Sequence, residues 1–401
     1  MNRRTFFRNT ALGAGSALLS SSLLRADEQE KLAAKAPAGP VIGRTLGRTG
    51  IKIPVVSMGV MNADNPELLR QAFQTGIRYF DTAWYYQRGN NEKMVGRVLG
   101  EVSPRREDFV VSTKILMRSG PKGDEAKQYF LARFDESQQR LRMDYVDILF
   151  YHSAERKDEA VAPYIIEAME ELKKSGRIRF TGVSTHAYWP DLLPQIVERG
   201  YHDVAMLSFN YSMASTPAFL EAASKATAKG MGLIAMKTQC RQSWYKKNIP
   251  AEMQHFYEGA VMNGALLKWV LRHEVFATAV PGFTTFQQLD EDFEVARNLD
   301  FTPAEAKFLA DRNVKVAMES TCQTCGRCLP SCLKGADVPN LMRTHMYAFS
   351  YGNIQHARAT LDDIPAGRGL AACRECTTCS ARCVRQVDIA GRLEELRGVY
   401  C

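Results

Sequence analysis

Residues 76–86 read GIRYFDTAWYY, and this stretch decides the predicted fold. The Tyr79-Phe80 pair is typical of the end of a short buried strand, and the polar pair Asp81-Thr82 is typical of the turn that follows. Asp81 and Tyr86 would then lie just past the carboxyl end of this strand. In a barrel of parallel strands, active sites are built at that end. The stretch therefore predicts that Asp81 and Tyr86 face a functional pocket.

Short apolar runs alternate with helical stretches eight times between residues 41 and about 300. This alternation predicts an α/β fold, a (β/α)8 TIM barrel, because an open doubly wound sheet usually has fewer strands and a Gly-rich first turn that is missing here. The predicted strands are Val55–Val60, Tyr79–Asp81, Phe109–Lys114, Val146–Tyr151, Ile178–Gly182, Val204–Phe209, Gly232–Met236 and Ala277–Pro281. The predicted helices are Glu67–Thr75, Glu92–Leu99, Ala126–Arg142, Tyr164–Ser175, Leu192–Glu198, Pro217–Lys229, Gly259–Arg272 and Gln288–Asn298.

The alternation stops after residue 300. Residues Phe301–Glu319 form one predicted helix, because Thr302 is a typical N-cap and Glu305 follows three residues later. Two shorter helices are predicted at Asn340–Phe349 and Asn353–Leu361, and no strand pattern accompanies them. We therefore expect the barrel to span residues 41–315 and a small α-helical domain to span residues 316–401.

The first 26 residues are predicted to be an export signal. Residues 3–8 read RRTFFR, which resembles the twin-arginine motif, and a weakly apolar run from Ala11 to Leu24 follows. Residues 27–40 are charged and rich in Ala and Pro, as in a linker. A disordered basic tail is the alternative for residues 1–26. The signal predicts a periplasmic protein, anchored to the membrane if the signal is retained, with no other transmembrane segment.

Composition indicates a globular protein that does not bind nucleic acid. Of the 401 residues, 45% are hydrophobic and 24% are charged, which is ordinary for a folded chain. The formal net charge is +8, and four arginines within residues 1–26, which contain no acid, supply half of it. The remaining surplus is mild, and no basic patch is interleaved with aromatic residues.

Four polar residues stand at the predicted rim of the barrel. Asp81 and Tyr86 follow the second strand, Lys114 ends the third and His152 ends the fourth. A tyrosine with an ordinary pKa near 10 is a poor general acid at neutral pH unless a nearby cation lowers that pKa. Each residue alone also has a structural interpretation, such as a snorkelling lysine or a turn cap. Their shared position favours the catalytic interpretation.

The pattern Asp-Thr-Ala-x-x-Tyr at residues 81–86 resembles the signature of the aldo-keto reductases. The resemblance implies that Tyr86 is the proton donor, that Lys114 and Asp81 tune its pKa, and that His152 orients the substrate carbonyl. It also implies that the hydride comes from NADPH. Residues 44–54 resemble the hairpin that closes the barrel bottom in this family, with Gly50 at the turn.

The resemblance also implies a nicotinamide site on the later strands. Thr185 and Met206 stand where the family commonly has Asn and Gln, and no Arg or Lys follows Gly282 to pair a 2′-phosphate. NADP(H), NAD(H) or neither therefore remain open. The implied cofactor-binding residues are Ser184, Thr185, Met206, Lys237, Pro281, Gly282 and Gln288.

Eight of the ten cysteines form two runs with the same spacing, Cys-x-x-Cys-x-x-Cys-x-x-x-Cys. This spacing is that of bacterial ferredoxins, in which the fourth cysteine of each run binds the cluster of the other run. We expect two [4Fe-4S] clusters in a domain that resembles α-helical ferredoxins. One would be held by Cys322, Cys325, Cys328 and Cys383, and the other by Cys373, Cys376, Cys379 and Cys332. Two zinc sites or a disulfide framework are the alternatives, and Leu333 and Val384 stand where a proline is usual.

Together these features predict an exported iron–sulfur oxidoreductase that interconverts a carbonyl compound and an alcohol. A protein of a different class is the alternative, in which the barrel is a scaffold and the clusters pass electrons to a redox partner protein. The reductase interpretation contains a tension, because nicotinamide transfers two electrons as a hydride, each cluster transfers one, and the sequence indicates no flavin to convert between them. Met206 and the missing cation after Gly282 favour the alternative, whereas the four rim residues oppose it.

Overall fold

The structure is a computed structural model that describes residues 40–117, 123–154, 159, 161–186, 189–213, 217–239, 260–319, 321–374 and 376–401. The predicted export signal and nearly all of the predicted linker lie outside these residues, as does Cys240. Residues 41–401 form one compact unit. No helix within the described ranges is both long and apolar enough to cross a membrane.

Eight parallel strands form a closed barrel, as predicted. Each strand pairs with the next along the chain, and a parallel bridge between Val56 and Ala279 joins the last strand to the first. The barrel strands are β3 (Met58–Gly59), β4 (Tyr79–Asp81), β5 (Val110–Leu116), β6 (Val146–His152), β7 (Ile178–Thr185), β8 (Val204–Ser208), β9 (Gly232–Met236) and β10 (Thr278–Ala279).

The strands form where apolar runs can be buried on both faces. All seven residues of β6 are buried, and so are all five of β9. The first and last strands are shorter than predicted, although backbone hydrogen bonds from Ser57 N to Ala279 O and from Gly59 N to Pro281 O continue the pairing at 2.9 Å. The ends of these strands therefore belong to the barrel wall even where their backbone is less regular.

A helix follows each barrel strand. These helices are α1 (Pro66–Thr75), α2 (Asn90–Val102), α3 (Asp124–Leu141), α4 (Pro163–Lys174), α5 (Trp189–Arg199), α6 (Pro217–Ala228), α7 (Ala260–Leu271) and α8 (Phe286–Glu294). Each corresponds to a predicted helix with ends shifted by a few residues. The largest shift is at α8, where a 3-10 turn at Val295–Arg297 replaces the last predicted turn.

A hairpin closes one end of the barrel, as the family resemblance implied. Strands β1 (Gly43–Thr45) and β2 (Lys52–Pro54) pair antiparallel, and Gly50 has the left-handed φ of 69° that the turn requires. The buried side chains of Leu46 and Ile53 pack against residues of the barrel interior such as Phe150. The opposite end, where the strands finish, remains available for a site.

The predicted helix Phe301–Glu319 is two helices. The sequence correctly indicates the capping box of Thr302 and Glu305, which begins α9 (Pro303–Ala310). The chain then becomes extended at Asp311, with a ψ of 131°, before α10 (Arg312–Glu319). The Asp311 side chain accepts a hydrogen bond from Asn313 N at 2.7 Å, so this residue ends one helix and caps the next.

The remaining helices pack together over the Cys runs and the barrel. They are α11 (Val338–His345), continued by a π-helical turn at Met346–Ser350, α12 (Ile354–Asp362) and α13 (Ile389–Tyr400). Helix α13 was not predicted, although Asp388 accepts a hydrogen bond from Gly391 N as an N-cap does. All eight residues of α11 are buried, which means that this helix is covered on every side.

Candidate active site

A buried ion pair stands at the rim of the barrel. Lys114 Nζ donates to Asp81 Oδ2 at 2.5 Å and to the Thr82 carbonyl at 2.7 Å. Ser112 Oγ donates to the other oxygen of Asp81 at 2.6 Å. The pair forms because Ser112 lies opposite Asp81 in the register of β4 and β5, which brings Lys114 alongside the end of β4. Both members of the pair are almost completely buried.

Burial opposes the charges of this pair, and their contact favours them. Burial raises the pKa of Asp81, while Lys114 and the Ser112 hydrogen bond act to lower it. Burial likewise lowers the pKa of Lys114, while Asp81 acts to raise it. The two charges thus depend on each other, because either one alone in this position would be a buried ion without a partner.

Tyr86 and His152 lie beside the ion pair on the same pocket. Their ring centroids are 5.8 Å apart, and Lys114 Nζ is 5.0 Å from the centroid of the Tyr86 ring. The sequence prediction that Lys114 lowers the pKa of Tyr86 meets an opposing effect: burial raises that pKa well above 10, and the cation that acts to lower it is Arg343. Tyr86 therefore retains its proton at neutral pH and can donate it in a hydrogen bond.

The residues implied for the nicotinamide divide into two sets. Ser184 and Thr185 are buried behind the rim, where the Ser184 hydroxyl accepts from Ser153 N at 3.0 Å and that of Thr185 donates to the Ala154 carbonyl at 2.8 Å. Gln288 accepts hydrogen bonds from Thr284 near the start of α8. The other four line one pocket with the rim residues, so that its wall includes Asp81, Tyr86, Lys114, His152, Met206, Lys237, Pro281 and Gly282.

The C-terminal helices also reach this pocket, which the sequence reasoning missed. His356 on α12 stacks on Tyr85 with centroids 5.3 Å apart and meets the Tyr86 ring edge-on at 5.5 Å. Tyr351 lines the pocket directly. Arg343 on α11 donates to Ser153 Oγ at 3.2 Å, next to His152. The available sequence signal was weak, because Arg343 follows the apolar pair Leu341-Met342 in a helix that also contains Asn340, Thr344 and His345.

Strained backbone is concentrated at the functional edges of the molecule. Among the described residues other than glycine, Gln87, Arg88, Ser153 and Lys237 have positive φ angles and are close in sequence to a pocket residue or are one, whereas Arg142, which also has a positive φ, caps the end of α3. Thr324 in the first Cys run and Gln386 beyond the second have positive φ angles as well. Such conformations cost free energy and persist where surrounding contacts hold them, commonly at functional sites.

The described cysteines form no disulfide. Burial raises the pKa of Cys322 to about 12, and charges on Cys383 and Cys328 act in the same direction. Burial also raises the pKa of Cys373, together with charges on three other cysteines. The neighbours of Cys373 are Cys332, Cys376 and Cys379, which line one cavity with it. Within the described ranges, no three or more His, Cys, Asp or Glu side chains are grouped as ligands of a single metal ion.

The two Cys runs are joined by reciprocal hydrogen bonds. Ser331 Oγ accepts from Arg382 N at 2.8 Å, and Leu333 N donates to Ser380 Oγ at 3.1 Å. The first run also contacts the barrel, because Thr324 Oγ1 donates to the His186 carbonyl at 2.6 Å and Gln323 Nε2 donates to that of Ser212 at 2.8 Å. The Cys region is thus attached to the same rim as the pocket.

Known proteins share this barrel. The model of the Aldo/keto reductase family matches residues 57–256. The L-galactose dehydrogenase of Arabidopsis thaliana is 26% identical over 297 residues, covering 67% of this chain and 92% of that protein. The L-glyceraldehyde 3-phosphate reductase of Escherichia coli O157:H7 is 25% identical over 315 residues, covering 65% and 89%.

Solved structures show the same fold. The holo form of an aldo-keto reductase from Bacillus halodurans superposes with a TM-score of 0.54 at 21% identity, covering 70% of this chain and 96% of that one. The closed parallel barrel, the matched segment and these relatives lead to one assignment. Through its barrel, this chain belongs to the aldo/keto reductase family of oxidoreductases.

Proposed function

We propose that this protein interconverts an aldehyde, ketone or sugar-like carbonyl compound and the corresponding alcohol, with a nicotinamide as the hydride carrier. One observation carries the proposal: the buried pair of Lys114 and Asp81 adjoins Tyr86 and His152 on a single pocket at the carboxyl ends of the strands. An acid, a cation and an imidazole around one cavity suit a reaction in which negative charge develops on an oxygen.

Each residue then has a defined task. Tyr86 holds the proton that the carbonyl oxygen receives, and its raised pKa keeps that proton in place until charge develops on the oxygen. Lys114 stabilises the phenolate that remains, and Asp81 holds Lys114 in position. His152 orients the carbonyl by a hydrogen bond. A reduced nicotinamide, when bound, supplies the hydride to the carbonyl carbon.

The pocket fits a nicotinamide ring next to these residues. Met206 and Met236 give an apolar surface, and Pro281 with Gly282 continues the wall past the end of β10. Met206 offers the carboxamide no hydrogen bond, and the residues after Gly282 bring no cation for a 2′-phosphate. The choice between NADP(H) and NAD(H) is therefore left to measurement.

The assay that tests this proposal uses protein purified anaerobically, with NADPH and NADH supplied separately against a panel of aldehydes, ketones and aldoses. We expect oxidation of one nicotinamide that depends on both carbonyl and enzyme. Absence of turnover with either nicotinamide, in protein whose circular dichroism shows it to be folded, would contradict the reductase proposal.

We also propose that the Cys region holds two [4Fe-4S] clusters with ligands exchanged between the two runs. The proximity of Cys322 to Cys383, and of Cys373 to Cys332, supports this exchange. Each of the four cysteine thiolates of a [4Fe-4S] cluster would bind a different iron, so four cluster ligands stand farther apart than four ligands of one ion. The fit to a cluster is therefore compatible with the lack of a single-ion site among the described residues.

Backbone amides support the same assignment. Thr324 N donates to Cys322 Sγ, and Arg385 N donates to Cys383 Sγ, both at 3.4 Å. Such N–H groups stabilise thiolates bound to iron. Buried thiols whose charges raise one another's pKa are unfavourable as thiolates unless a cationic centre joins them. When bound, a cluster transfers single electrons.

Chemical analysis separates this assignment from its alternatives. We expect a brown protein with roughly eight iron and eight acid-labile sulfide per chain, as two cubanes require. A colourless protein that contains zinc, or one with disulfides between these cysteines, would contradict it.

A second candidate function is electron transfer to a partner protein. It is favoured by exposure near the clusters, because Cys325 is exposed and the side chains of Leu333 and Val384 are 87% and 58% exposed. Apolar side chains in contact with solvent beside a redox centre suit a transient partner. Bleaching of the visible spectrum by dithionite but not by NADPH or NADH, without carbonyl reduction, would favour this function.

We further propose export to the periplasm by the twin-arginine route, on the sequence of residues 3–8. This route carries folded proteins, which suits a chain loaded with clusters beforehand. Replacement of Arg3 and Arg4 by lysine should leave the protein in the cytoplasmic fraction. Unchanged periplasmic recovery would contradict the proposal.

A further inference from the structure

Two cations from different parts of the chain converge on the pocket. Lys237 directly follows β9 and has a left-handed φ of 59°. Arg343 reaches the same region from α11, where only 6% of the residue is exposed, and donates to Ser153 Oγ. Arg343 thus belongs to the C-terminal helices, whereas Lys237 belongs to the barrel.

A second cavity adjoins the pocket and contains both cations. It extends from the barrel rim toward Cys322 and is lined by Ser208, Asn210, Ser212 and Thr324 among its polar residues. The two cavities share the three residues His186, Lys237 and Tyr351. A ligand whose carbonyl lies at Tyr86 and His152 can therefore place a second group in the adjoining cavity without leaving the protein.

Among the described residues that line the two cavities, three are cationic, Lys114, Lys237 and Arg343, and one is a carboxylate, Asp81. Asp81 is the partner of Lys114. Lys237 Nζ lies 4.7 Å from the Tyr347 ring centroid and 5.0 Å from that of Tyr351, and it forms no ion pair with any carboxylate in the described part of the chain.

Burial and mutual repulsion disfavour the charged forms of these side chains. Burial lowers the pKa of Lys237 to about 7, and the charge of Arg343 lowers it as well. Burial lowers the pKa of His356, and the same two cations act with Lys114 to lower it further. An anion between Lys237 and Arg343 would remove this repulsion and would accept charge-assisted hydrogen bonds.

We propose that Arg343 and Lys237 bind an anionic group on the substrate, a carboxylate or a phosphate, and so determine which carbonyl compounds are reduced. This inference rests on the proposed reductase function. Arg343 contacts Ser153, the residue after His152, so the anionic group would lie near the carbonyl. Small oxo acids and phosphorylated aldehydes have this form.

Matched pairs of substrates test the proposal. The pairs are pyruvate with methyl pyruvate, 4-oxobutanoate with its methyl ester, and glyceraldehyde 3-phosphate with glyceraldehyde. We expect kcat/KM for the anionic member of at least one pair to be tenfold higher or more. The pair with the largest ratio distinguishes a carboxylate site from a phosphate site. A ratio near one in every pair would overturn the proposal.

Substitution of Arg343 assigns the effect to this residue. Arg343→Gln should lower kcat/KM for the preferred anionic substrate by about tenfold to a hundredfold, the range expected for loss of hydrogen bonds to a charged group. The neutral member should change by less than about threefold, and Arg343→Lys should restore part of the loss. An unchanged ratio in folded Arg343→Gln protein would overturn the proposal.

Arg358→Gln is the matched control, because Arg358 on α12 is exposed and pairs with Asp362. This variant should leave the kcat/KM ratio of every substrate pair unchanged. If Arg343→Gln does not fold, Lys237→Met replaces it, with the same expected loss of preference and the same contrary outcome. KM for the nicotinamide is measured in parallel, and a change confined to that constant would assign the cations to the cofactor and overturn the proposal.

Calorimetry separates the failure of this inference from failure of the reductase function. If no carbonyl is turned over, pyruvate, 4-oxobutanoate and inorganic phosphate are titrated into wild-type and Arg343→Gln protein. Binding to the wild type that the substitution weakens tenfold would still support an anion site. Absence of binding by all three probes would overturn it.

Discussion

The barrel rim and the Cys region both bury polar groups, yet they satisfy them in different ways. At the rim, Asp81 accepts from Lys114 and Ser112, so that the chain itself supplies the partners of each charge. In the Cys region, the Cys322 thiol accepts a hydrogen bond from Thr324 N, while burial and the charges of neighbouring cysteines oppose its ionisation. The rim therefore supplies the partners of its own charges, whereas the cluster proposal assigns that task in the Cys region to a bound cofactor.

The largest effect should come from the rim and should be confined to catalysis. Tyr86→Phe removes the proton donor without removing the ring, so kcat should fall by about 10²- to 10⁴-fold while the melting temperature changes little. Steady-state kinetics with the best carbonyl substrate measure this. Tyr85→Phe is the matched control, because its ring stacks on His356. Equal activity of the two variants would remove Tyr86 from the mechanism.

The rim should also respond strongly when one charge of the pair is removed. Asp81→Asn leaves Lys114 buried without its carboxylate, and unfolding free energy should fall by about 3–5 kcal/mol. Chemical denaturation measures the change. The exposed pair of Lys225 and Glu221 is the control, and Glu221→Gln should have little effect. Similar losses of unfolding free energy in both variants would mean that the buried pair contributes no more to stability than the exposed pair.

The Cys region should respond to loss of a ligand by losing its cofactor while the barrel stays folded. Cys383→Ser and Cys332→Ser should each lower the iron content to about half, because each removes a ligand from a different cluster. Hydrogen exchange should rise in residues 321–401 and remain slow in β5 and β6. Full iron content in both variants would contradict the exchanged ligands.

The smallest effect concerns the boundary between the two regions, where His356 lies. Burial is the main reason that its pKa is far below 6.5, so below pH 6.5 the unfolded chain binds a proton that the folded protein does not. Unfolding free energy should therefore fall on acidification below about pH 6.5, by up to about 1.4 kcal/mol per pH unit. The groups that face His356 are Tyr85, Tyr86, Tyr347, Lys114, Lys237 and Arg343.

Denaturation curves between pH 5 and 8 measure this slope in the wild type and in His356→Phe, which keeps the stacked ring. The variant should show a shallower slope below pH 6.5. Identical slopes in both proteins would show that another group causes the acid dependence.

The barrel could be predicted from sequence because its signals are local. Val146–His152 is a largely apolar run that ends in a histidine, which indicates a buried strand with a polar residue at its carboxyl end. The pattern at residues 81–86 contains both Asp81 and Tyr86 within six consecutive residues. Such signals also indicated the hairpin turn at Gly50 and the capping box at Thr302. The break at Asp311 was missed because an aspartate within a helical pattern is compatible with both a continuing helix and a new cap.

The side of the pocket that the C-terminal helices supply, with Arg343 and His356, could not be predicted in this way. Arg343 lies 190 residues from Ser153 in the chain, and His356 reaches Tyr85 from a separate helix. These contacts depend on how α11 and α12 pack on the barrel, which no spacing in the sequence reports. The electrostatics of Tyr86 were missed for the same reason, because the burial that raises its pKa depends on these helices.

If the two Cys runs bind clusters as proposed, the position of Cys383 beside Cys322 sets the order of events during synthesis of the protein. The ribosome must complete 61 residues after Cys322 before the fourth sulfur of that group exists. By then the strands from β3 to β10 have all been made. On the cluster proposal, cofactor loading would therefore be a late step, and a cell short of iron would accumulate full-length chains that lack clusters.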